Sequence, residues 1–125
     1  MSFPTFQKQQ YLNLETFRKT GEGVKTPVWF AQEGDSLYVW TQTNSGKDKR
    51  VRRETPVSVN IAPCKPDGAL LGEWLPARAS RDNSPEAVEH VRKLMVKKYG
   101  LMFHAFALMG KFSKAAHTTL KITAE

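Results

Sequence analysis

Hydrophobic and polar positions alternate along most of this chain, and the alternation predicts strands. In residues 11–17, Leu12, Leu14 and Thr16 fall on one face, which is the two-residue period of a half-buried strand. The same period returns after each of several turns that contain glycine or proline. The predicted strands cover residues 11–17, 24–32, 37–41, 57–61, 69–80 and 118–122.

The connections and one proline indicate how these strands are arranged. The first three strands are joined by short glycine-containing loops, which predicts a meander in which chain neighbours pair. Pro27 lies inside the run 24–32 and has no backbone N–H to donate. It therefore predicts that this strand lies at a sheet edge or that pairing breaks there.

Two segments follow helical patterns instead. Residues 85–99 repeat apolar positions at helical spacing, with Ser84 as a good N-cap and Gly100 as a left-handed stop. A shorter helix is predicted to begin after Ser45, in the polar and basic segment 45–54. Six strands with a few short helices predict a mainly β fold, built as a small closed or half-open β-barrel.

The composition narrows the class of protein. The 125 residues suit one domain, 1–125, and 40% hydrophobic with 25% charged residues excludes disorder. No apolar run approaches the roughly 20 residues of a membrane span, and the N-terminus lacks the pattern of a secretory signal. The net charge of +7 predicts an anionic partner, which is a nucleic acid, a phosphorylated small molecule or an acidic lipid.

Side-chain chemistry that would mark a hydrolase or a metal site is missing from the sequence. His90, His104 and His117 are not spaced as ligands with one another or with cysteine or carboxylates. Nucleophile-elbow and phosphate-loop motifs are also absent. Cys64 is the only cysteine, which excludes an intrachain disulfide and fits a reducing cytoplasm. Only Lys65 beside it favours a thiolate, so we expect an inert thiol.

The strongest local signal is the basic segment at residues 45–53, SGKDKRVRR. On a helix, Lys47 and Arg50 share a face at three-residue spacing. The start of a helix also presents free backbone N–H groups and a partial positive charge. A phosphate placed there would therefore be bound by hydrogen bonds and by electrostatic attraction. We expect the segment to be polar and exposed, and charge alone leaves a plain solvated basic face as the other interpretation.

Three ordered stretches carry a resemblance to a known family. They are TPVWF at 26–30, LYVWTQTNSGKDKRVRR at 37–53 and PVSVNIAPC at 56–64, followed by a helix that ends in KKYG. In this combination the chain resembles the flavin-binding split-barrel family, which includes the pyridoxamine 5'-phosphate oxidases. The likeness is strongest to the small branch of oxidoreductases that use the deazaflavin F420, and it covers residues 10–112.

The resemblance implies a six-stranded split β-barrel that binds a flavin-type cofactor at a homodimer interface. It also implies hydride transfer between F420 and a small organic substrate, with no catalytic side chain because the cofactor carries the reaction. Matching the chain to the family's motifs assigns a role to each part of the site. The ring would be bordered by Thr26, Pro27, Val28 and Trp29, and the ribityl or phosphate region would contact Thr41. The phosphate would be held by Ser45, Gly46 and Lys47, and a longer anionic tail would be reached by Lys49 and Arg50.

Further positions bear on the substrate and on the choice of cofactor. Residues 101–112 are apolar, and His104 among them is the candidate polar contact to the substrate. Phosphate-oxidase relatives carry arginines where Thr26 and Gly46 stand here, which weakens an FMN phosphate clamp and disfavours pyridoxamine oxidase activity itself. Trp40 either stacks on the ring or fills the barrel, since aromatic residues on strands usually pack.

Two other functions stay open at this point. The first keeps the fold and takes FMN as the cofactor, as in a flavin reductase-like protein. The second is a small basic β-barrel that binds single-stranded nucleic acid, with Tyr38 and Trp40 on one strand face to stack on bases. The basic residues cluster in one segment and do not line several strands, which favours the small-molecule cofactor.

Overall fold

One antiparallel sheet of seven strands forms the body of the computed structural model, which describes residues 6, 8–42, 45–52, 56–101 and 117–125. The strands pair in the order β2-β1-β5-β6-β7-β4-β3. The elements of the described residues are β1 (Tyr11–Phe17), β2 (Gly23–Val28), β3 (Phe30–Glu33), β4 (Ser36–Gln42), α1 (Gly46–Arg52), β5 (Val57–Cys64), β6 (Leu75–Asp82), α2 (Pro85–Tyr99) and β7 (His117–Ala124).

The two outermost strands of the sheet are consecutive in the chain. β2 ends at Val28 and β3 begins at Phe30, so only Trp29 separates strands that lie at opposite ends of the pairing order. Two residue steps span at most about 7 Å of extended chain. The sheet must therefore curl until its edges meet, which gives a barrel joined at this point. We call residues 28–30 the seam.

Pro27 lies on an edge strand, as predicted, where its missing N–H is tolerated. It stays in register opposite Asn13, so pairing with β1 does not break at the proline but continues to Val28. The interruption comes at Trp29, and it divides residues 24–32 into two strands and raises the strand count from six to seven.

The two pairings of the predicted meander, between residues 11–17 and 24–32 and between 24–32 and 37–41, are both present, but the middle strand is divided in two. β2 pairs with β1 and β3 pairs with β4, whereas β2 and β3 are not neighbours in the sheet. Alternation identifies the faces of a strand but not its partner. The strand predicted at 69–80 is also shorter, since it begins at Leu75. The preceding Leu70 and Leu71 are exposed, and Leu70 forms only an isolated bridge with Cys64.

The barrel interior is filled by residues that alternation assigned to buried strand faces. Each of them is at most 2% exposed, and together they form one apolar cluster. Helix α1 contributes the fully buried Val51 to this cluster and packs against β1, β6 and β7. The strand residues are Leu12, Leu14, Leu37, Val39, Val59, Ile61, Leu120 and Ile122.

Helix α2 packs against β3, β4 and β7 and has the predicted bounds, 85–99. The Ser84 Oγ accepts a hydrogen bond from the backbone N–H of Ala87 at 3.2 Å, which caps the helix start as predicted. At the other end Gly100 has a φ of +59° and donates its backbone N–H to the Val96 carbonyl at 2.9 Å. Glycine adopts this positive φ without strain, so the predicted stop is confirmed.

The last turn of α2 holds a cation in apolar surroundings. The Lys98 Nζ lies 3.4 Å from the centre of the Phe30 ring, and it has no hydrogen-bond partner among the described residues. Burial lowers the pKa of Lys98 to about 8. The attraction of the ammonium to the ring face offsets part of the cost of removing the charge from water.

Replacing Lys98 with methionine is expected to raise the melting temperature at pH 7 by roughly 3–6 °C, because an apolar chain of similar length fills the same space without a charge. Since the pKa is lower in the folded than in the unfolded protein, the wild type gains stability as pH rises from about 8 to about 10.5. The advantage of Lys98→Met should therefore be full below pH 8 and disappear by about pH 10.5. Thermal melts over this range test it, with the exposed Lys97→Met as the control. A pH-independent difference would contradict the assignment.

Candidate cofactor site

A cavity of about 210 Å³ opens beside the seam. It is bounded by β1, the seam, β4 and both helices, so it depends on segments from most of the chain. Pockets that enclose drug-sized ligands measure roughly 300–1,000 Å³. This cavity can therefore hold part of a tricyclic ring but not enclose all of it. The described residues that line it are Tyr11, Pro27, Val28, Trp29, Trp40, Lys47 and Met95.

Aromatic rings make the walls of the cavity. Trp29 stacks on Tyr99 with ring centres 4.4 Å apart and an interplanar angle of 11°, and Tyr11 meets Trp29 edge-on at 6.3 Å and 70°. Trp40 stacks on His117 at 5.0 Å and 27°. Flat, apolar surfaces of this kind suit a planar aromatic ligand. Trp40, for which the sequence left two interpretations, is thus a cavity residue that also packs against other rings.

Helix α1 brings basic side chains to one corner of the cavity. Lys47 lines it and is half-buried. Burial lowers the pKa of Lys47, the nearby Arg50 guanidinium lowers it further, and Asp48 opposes them. The Arg50 Nε donates to Thr16 Oγ1 at 2.5 Å, and Arg81 Nε pairs with Asp48 Oδ1 at 2.7 Å. Lys47 and Arg50 are thus close enough for their like charges to interact, and such a concentration of positive charge favours an anion.

The segment around α1 is less exposed than the sequence predicted. Asp48 and Val51 are fully buried, while Lys49 is exposed and does not line the cavity. The expectation of a wholly polar, exposed segment is therefore wrong, because α1 lies against the barrel and inserts two of its side chains. Among the basic residues of the helix, Lys49 is exposed, whereas Lys47 and Arg50 are half-buried.

The hydroxyls at the start of α1 are used within the protein. The Ser45 Oγ accepts a hydrogen bond from the backbone N–H of Asp48 at 3.3 Å, so the predicted cap is confirmed. Thr41 is 4% exposed, and its Oγ1 lies 3.2 Å from the Ser45 Oγ. At Gly46 a Cβ would lie 2.8 Å from an Arg50 guanidinium nitrogen. The missing side chain therefore leaves room for Arg50 to fold back over the helix start.

The structure brings some of the predicted cofactor-binding residues together and leaves others out. Four line the cavity, namely Pro27, Val28, Trp29 and Lys47. The cavity lining does not include Thr26, Thr41, Ser45, Gly46, Lys49 or Arg50. His104, the candidate substrate contact, lies outside the described residues.

Sequence reasoning missed three contributions to the site. Tyr11 and Met95 line the cavity, and Tyr99 supports Trp29 from behind. In the sequence, Tyr11 falls on the strand face opposite Leu12 and Leu14, and Met95 belongs to the apolar positions that repeat at helical spacing in α2. Neither pattern indicates a ligand, because the site exists only once the seam and α2 are brought together.

The other candidate reactive residues, His90 and Cys64, do not line the cavity. His90 is exposed, as its sequence context suggested, with its Nε2 2.9 Å from Glu33 Oε1. Cys64 is 3% exposed, and burial raises the pKa of its thiol, which fits the expected inert side chain. No group of three or more His, Cys, Asp or Glu in the described part of the chain could hold a metal ion. None of the described helices is long and apolar enough to cross a membrane.

Tyr38 and Trp40 share one face of β4, as predicted, but they do not form an open stacking platform. Both are half-buried and pack against the cluster formed by α2 with Ala31. These two residues therefore do not present the row of open aromatic rings on which successive bases stack.

Comparisons with known proteins bear on the fold. No protein-family model matches the chain, and a search of curated proteins gives no match. Solved structures do match. The heme storage protein HutZ from Vibrio cholerae has a TM-score of 0.68 at 16% identity, over 95% of this chain and 84% of that one.

Two further solved structures share the fold. A candidate pyridoxamine 5'-phosphate oxidase from Listeria innocua has a TM-score of 0.62 at 18% identity, over 95% of this chain and 86% of that one. An F420 reductase has a TM-score of 0.59 at 17% identity, over 98% of this chain and 96% of that one. The chain therefore has the split β-barrel fold of the pyridoxamine 5'-phosphate oxidase-like proteins, as its motifs predicted.

Proposed function

We propose that this protein is an oxidoreductase that binds a flavin-type cofactor, F420, and transfers hydride to or from a small organic substrate. The observation that carries the proposal is the half-buried Lys47 at the edge of a cavity walled by Trp29 and Trp40. Flavin-type cofactors join a planar ring to a phosphorylated tail, and this pairing of flat surface and fixed cation matches both parts.

The chain's own residues would bind and orient, while the bound cofactor would supply the hydride chemistry. Trp29 and Trp40 would restrict the plane of the ring, and Met95 and Val28 would keep water from its apolar edge. Lys47 would hold the phosphate, with Arg50 adding positive charge behind it. We propose a cytoplasmic setting, where a single unpaired cysteine is stable.

We further propose that two copies of the chain complete the site. A cavity of about 210 Å³ is smaller than a pocket that encloses a ring-sized ligand, so the remaining wall must come from elsewhere. Light scattering on the cofactor-bound protein should give twice the 14.1 kDa chain mass. A 14.1 kDa particle with cofactor still bound would contradict the dimer.

F420 is preferred over FMN because residues 26 and 46 lack the arginines that the resemblance assigns to the phosphate oxidases. Separate titrations with F420 and FMN, followed by quenching of tryptophan fluorescence and by ligand absorbance, test this. We expect saturable binding of both at one site, with F420 binding tighter. Tighter binding of FMN would assign the flavin reductase-like alternative, and no binding of either would end the proposal.

Heme is a second candidate ligand, favoured by one observation. HutZ, of the same fold, is a heme storage protein. In this chain His117 stacks on the cavity residue Trp40, and burial lowers its pKa, which favours the neutral imidazole that binds metal ions. A hemin titration of wild type and His117→Ala separates the two functions. Heme binding predicts a Soret shift that the variant loses, whereas the flavin proposal predicts no His117-dependent heme complex.

A further inference from the structure

Tyr99 occupies the place where the hydrogen-bond ladder of the sheet is interrupted. β3 is the last strand of the pairing order, and Phe30 is its first residue. The Tyr99 hydroxyl accepts a hydrogen bond from the Phe30 N–H at 3.0 Å and lies 2.9 Å from the Phe30 carbonyl oxygen. One phenol therefore meets the polar backbone groups that a neighbouring strand would otherwise satisfy.

The same hydroxyl reaches the other side of the seam. It lies 2.8 Å from the carbonyl oxygen of Gln10, which immediately precedes β1. A hydroxyl has one proton and two lone pairs, so its proton is shared between the carbonyls of Gln10 and Phe30 while it accepts from the Phe30 N–H. Tyr99 thus links the chain just before β1, the strand next to edge strand β2, to the first residue of the opposite edge strand β3.

Burial increases the cost of losing the hydrogen bonds of the Tyr99 hydroxyl. Phe30 is fully buried and Tyr99 is 8% exposed, so water does not replace a lost partner easily. Burial also raises the pKa of Tyr99 to about 12, so the hydroxyl keeps its proton at any physiological pH. The Tyr99 ring stacks on Trp29, the single residue of the seam between the strands and a wall of the cavity.

We propose that Tyr99 is a positioning residue for the cavity: its hydroxyl closes the sheet at the seam, and its ring fixes the plane of Trp29. The inference deepens the proposed function, on which its ligand-binding consequence rests, whereas its consequences for the seam do not depend on any ligand. The proposal gives Tyr99, the last residue of α2, a role that the helical pattern of residues 85–99 did not indicate.

Tyr99→Phe tests the hydroxyl alone, because the ring and its stacking remain. Without ligand, NMR hydrogen exchange at the Phe30 amide should become about tenfold faster, while exchange at core amides such as Ile61 keeps its rate relative to global unfolding. The Trp29 indole N–H signal should shift. With F420, the dissociation constant should rise about fivefold or more, which corresponds to roughly 1 kcal/mol.

Tyr38→Phe is the matched control, since Tyr38 also packs with α2 but does not line the cavity. It should leave the Phe30 amide, the Trp29 signal and the affinity unchanged. Unchanged exchange at Phe30 in Tyr99→Phe, or equal loosening of every amide, would overturn the proposal. So would an unaltered F420 affinity in a protein whose wild type binds F420. If wild type binds neither F420 nor FMN while the Phe30 and Trp29 effects appear, the proposed function fails and closure of the seam by Tyr99 is supported.

Discussion

Replacing Asp48 with alanine is expected to lower the free energy of unfolding by about 3–5 kcal/mol, a large share of a typical domain's stability. Asp48 is fully buried, and its Oδ1 lies 2.7 Å from the Nε of Arg81, whose side chain is 17% exposed. The substitution leaves the guanidinium without this carboxylate in a place where little water reaches it. Urea denaturation measures the loss as a lower midpoint at an unchanged slope.

A second substitution distinguishes loss of the pair from damage to α1. Asp48→Ala combined with Arg81→Met removes both charges, so most of the stability lost in the single variant should return. Glu73→Ala, at an exposed position outside the described strands, should change stability by no more than about 0.5 kcal/mol. A cost below about 1 kcal/mol for Asp48→Ala would mean that the pair does not hold α1 against β6.

Local signals in the sequence were enough to place most of the elements. Helix α2 has the predicted bounds because its start and stop depend on Ser84, Pro85 and Gly100, which act through their own backbone neighbourhood. The buried faces of β1, β4, β5 and β7 also follow from alternation, since the period of the side chains is a property of one strand. Pro27 also indicated that its strand lies at an edge of the sheet.

The division of residues 24–32 between two edges of the sheet could not be predicted in the same way. The alternation of residues 24–32 is the same whether they form one strand or two that belong to opposite edges of a barrel. The choice is made by contacts distant in sequence, such as the pairing of β1 with β5 and the bonds from Tyr99 to Phe30. These contacts become visible only when the strand order is known.

The environment of α1 shows the same limit at the level of one side chain. Within SGKDKRVRR, Asp48 reads as an ordinary acidic residue of a charged surface. Its partner, Arg81, lies 33 residues further along, at the end of β6. The motif thus located the helix and its lysine, but it could not indicate which charged residues of the segment are buried.

The candidate site also contains residues that the sequence predicted and residues that it did not. Pro27, Val28, Trp29 and Lys47 were carried over from the family motif, and all four line one cavity. Their agreement is informative because the seam and α1 are separated by two strands of chain. The remaining walls come from β1, β4 and α2, whose contribution depends on how the barrel curls.

Lys47→Ala is expected to weaken F420 binding by about ten- to a hundredfold. A charge-assisted hydrogen bond contributes roughly 1.5–3 kcal/mol, and Lys47 is the only cation among the described residues that line the cavity. Lys47→Glu should bind more weakly still, since it adds repulsion toward the phosphate. Both variants should fold, because Lys47 is half-buried and is not a partner in the Asp48–Arg81 pair. Titration of each variant with F420 and with FMN, followed by tryptophan fluorescence, gives the dissociation constants.

The matched control is Lys93→Ala, which removes an equal charge from an exposed position on α2. If the effect of Lys47 were a general consequence of the protein's net charge of +7, both variants would lose affinity alike, and both losses would shrink in high salt. A contact with one phosphate predicts a loss confined to Lys47 that persists at high salt, because the ammonium is partly shielded from solvent. If Lys47→Ala binds both cofactors with wild-type affinity, the phosphate does not bind at Lys47. The proposed orientation of the cofactor would then be wrong as well.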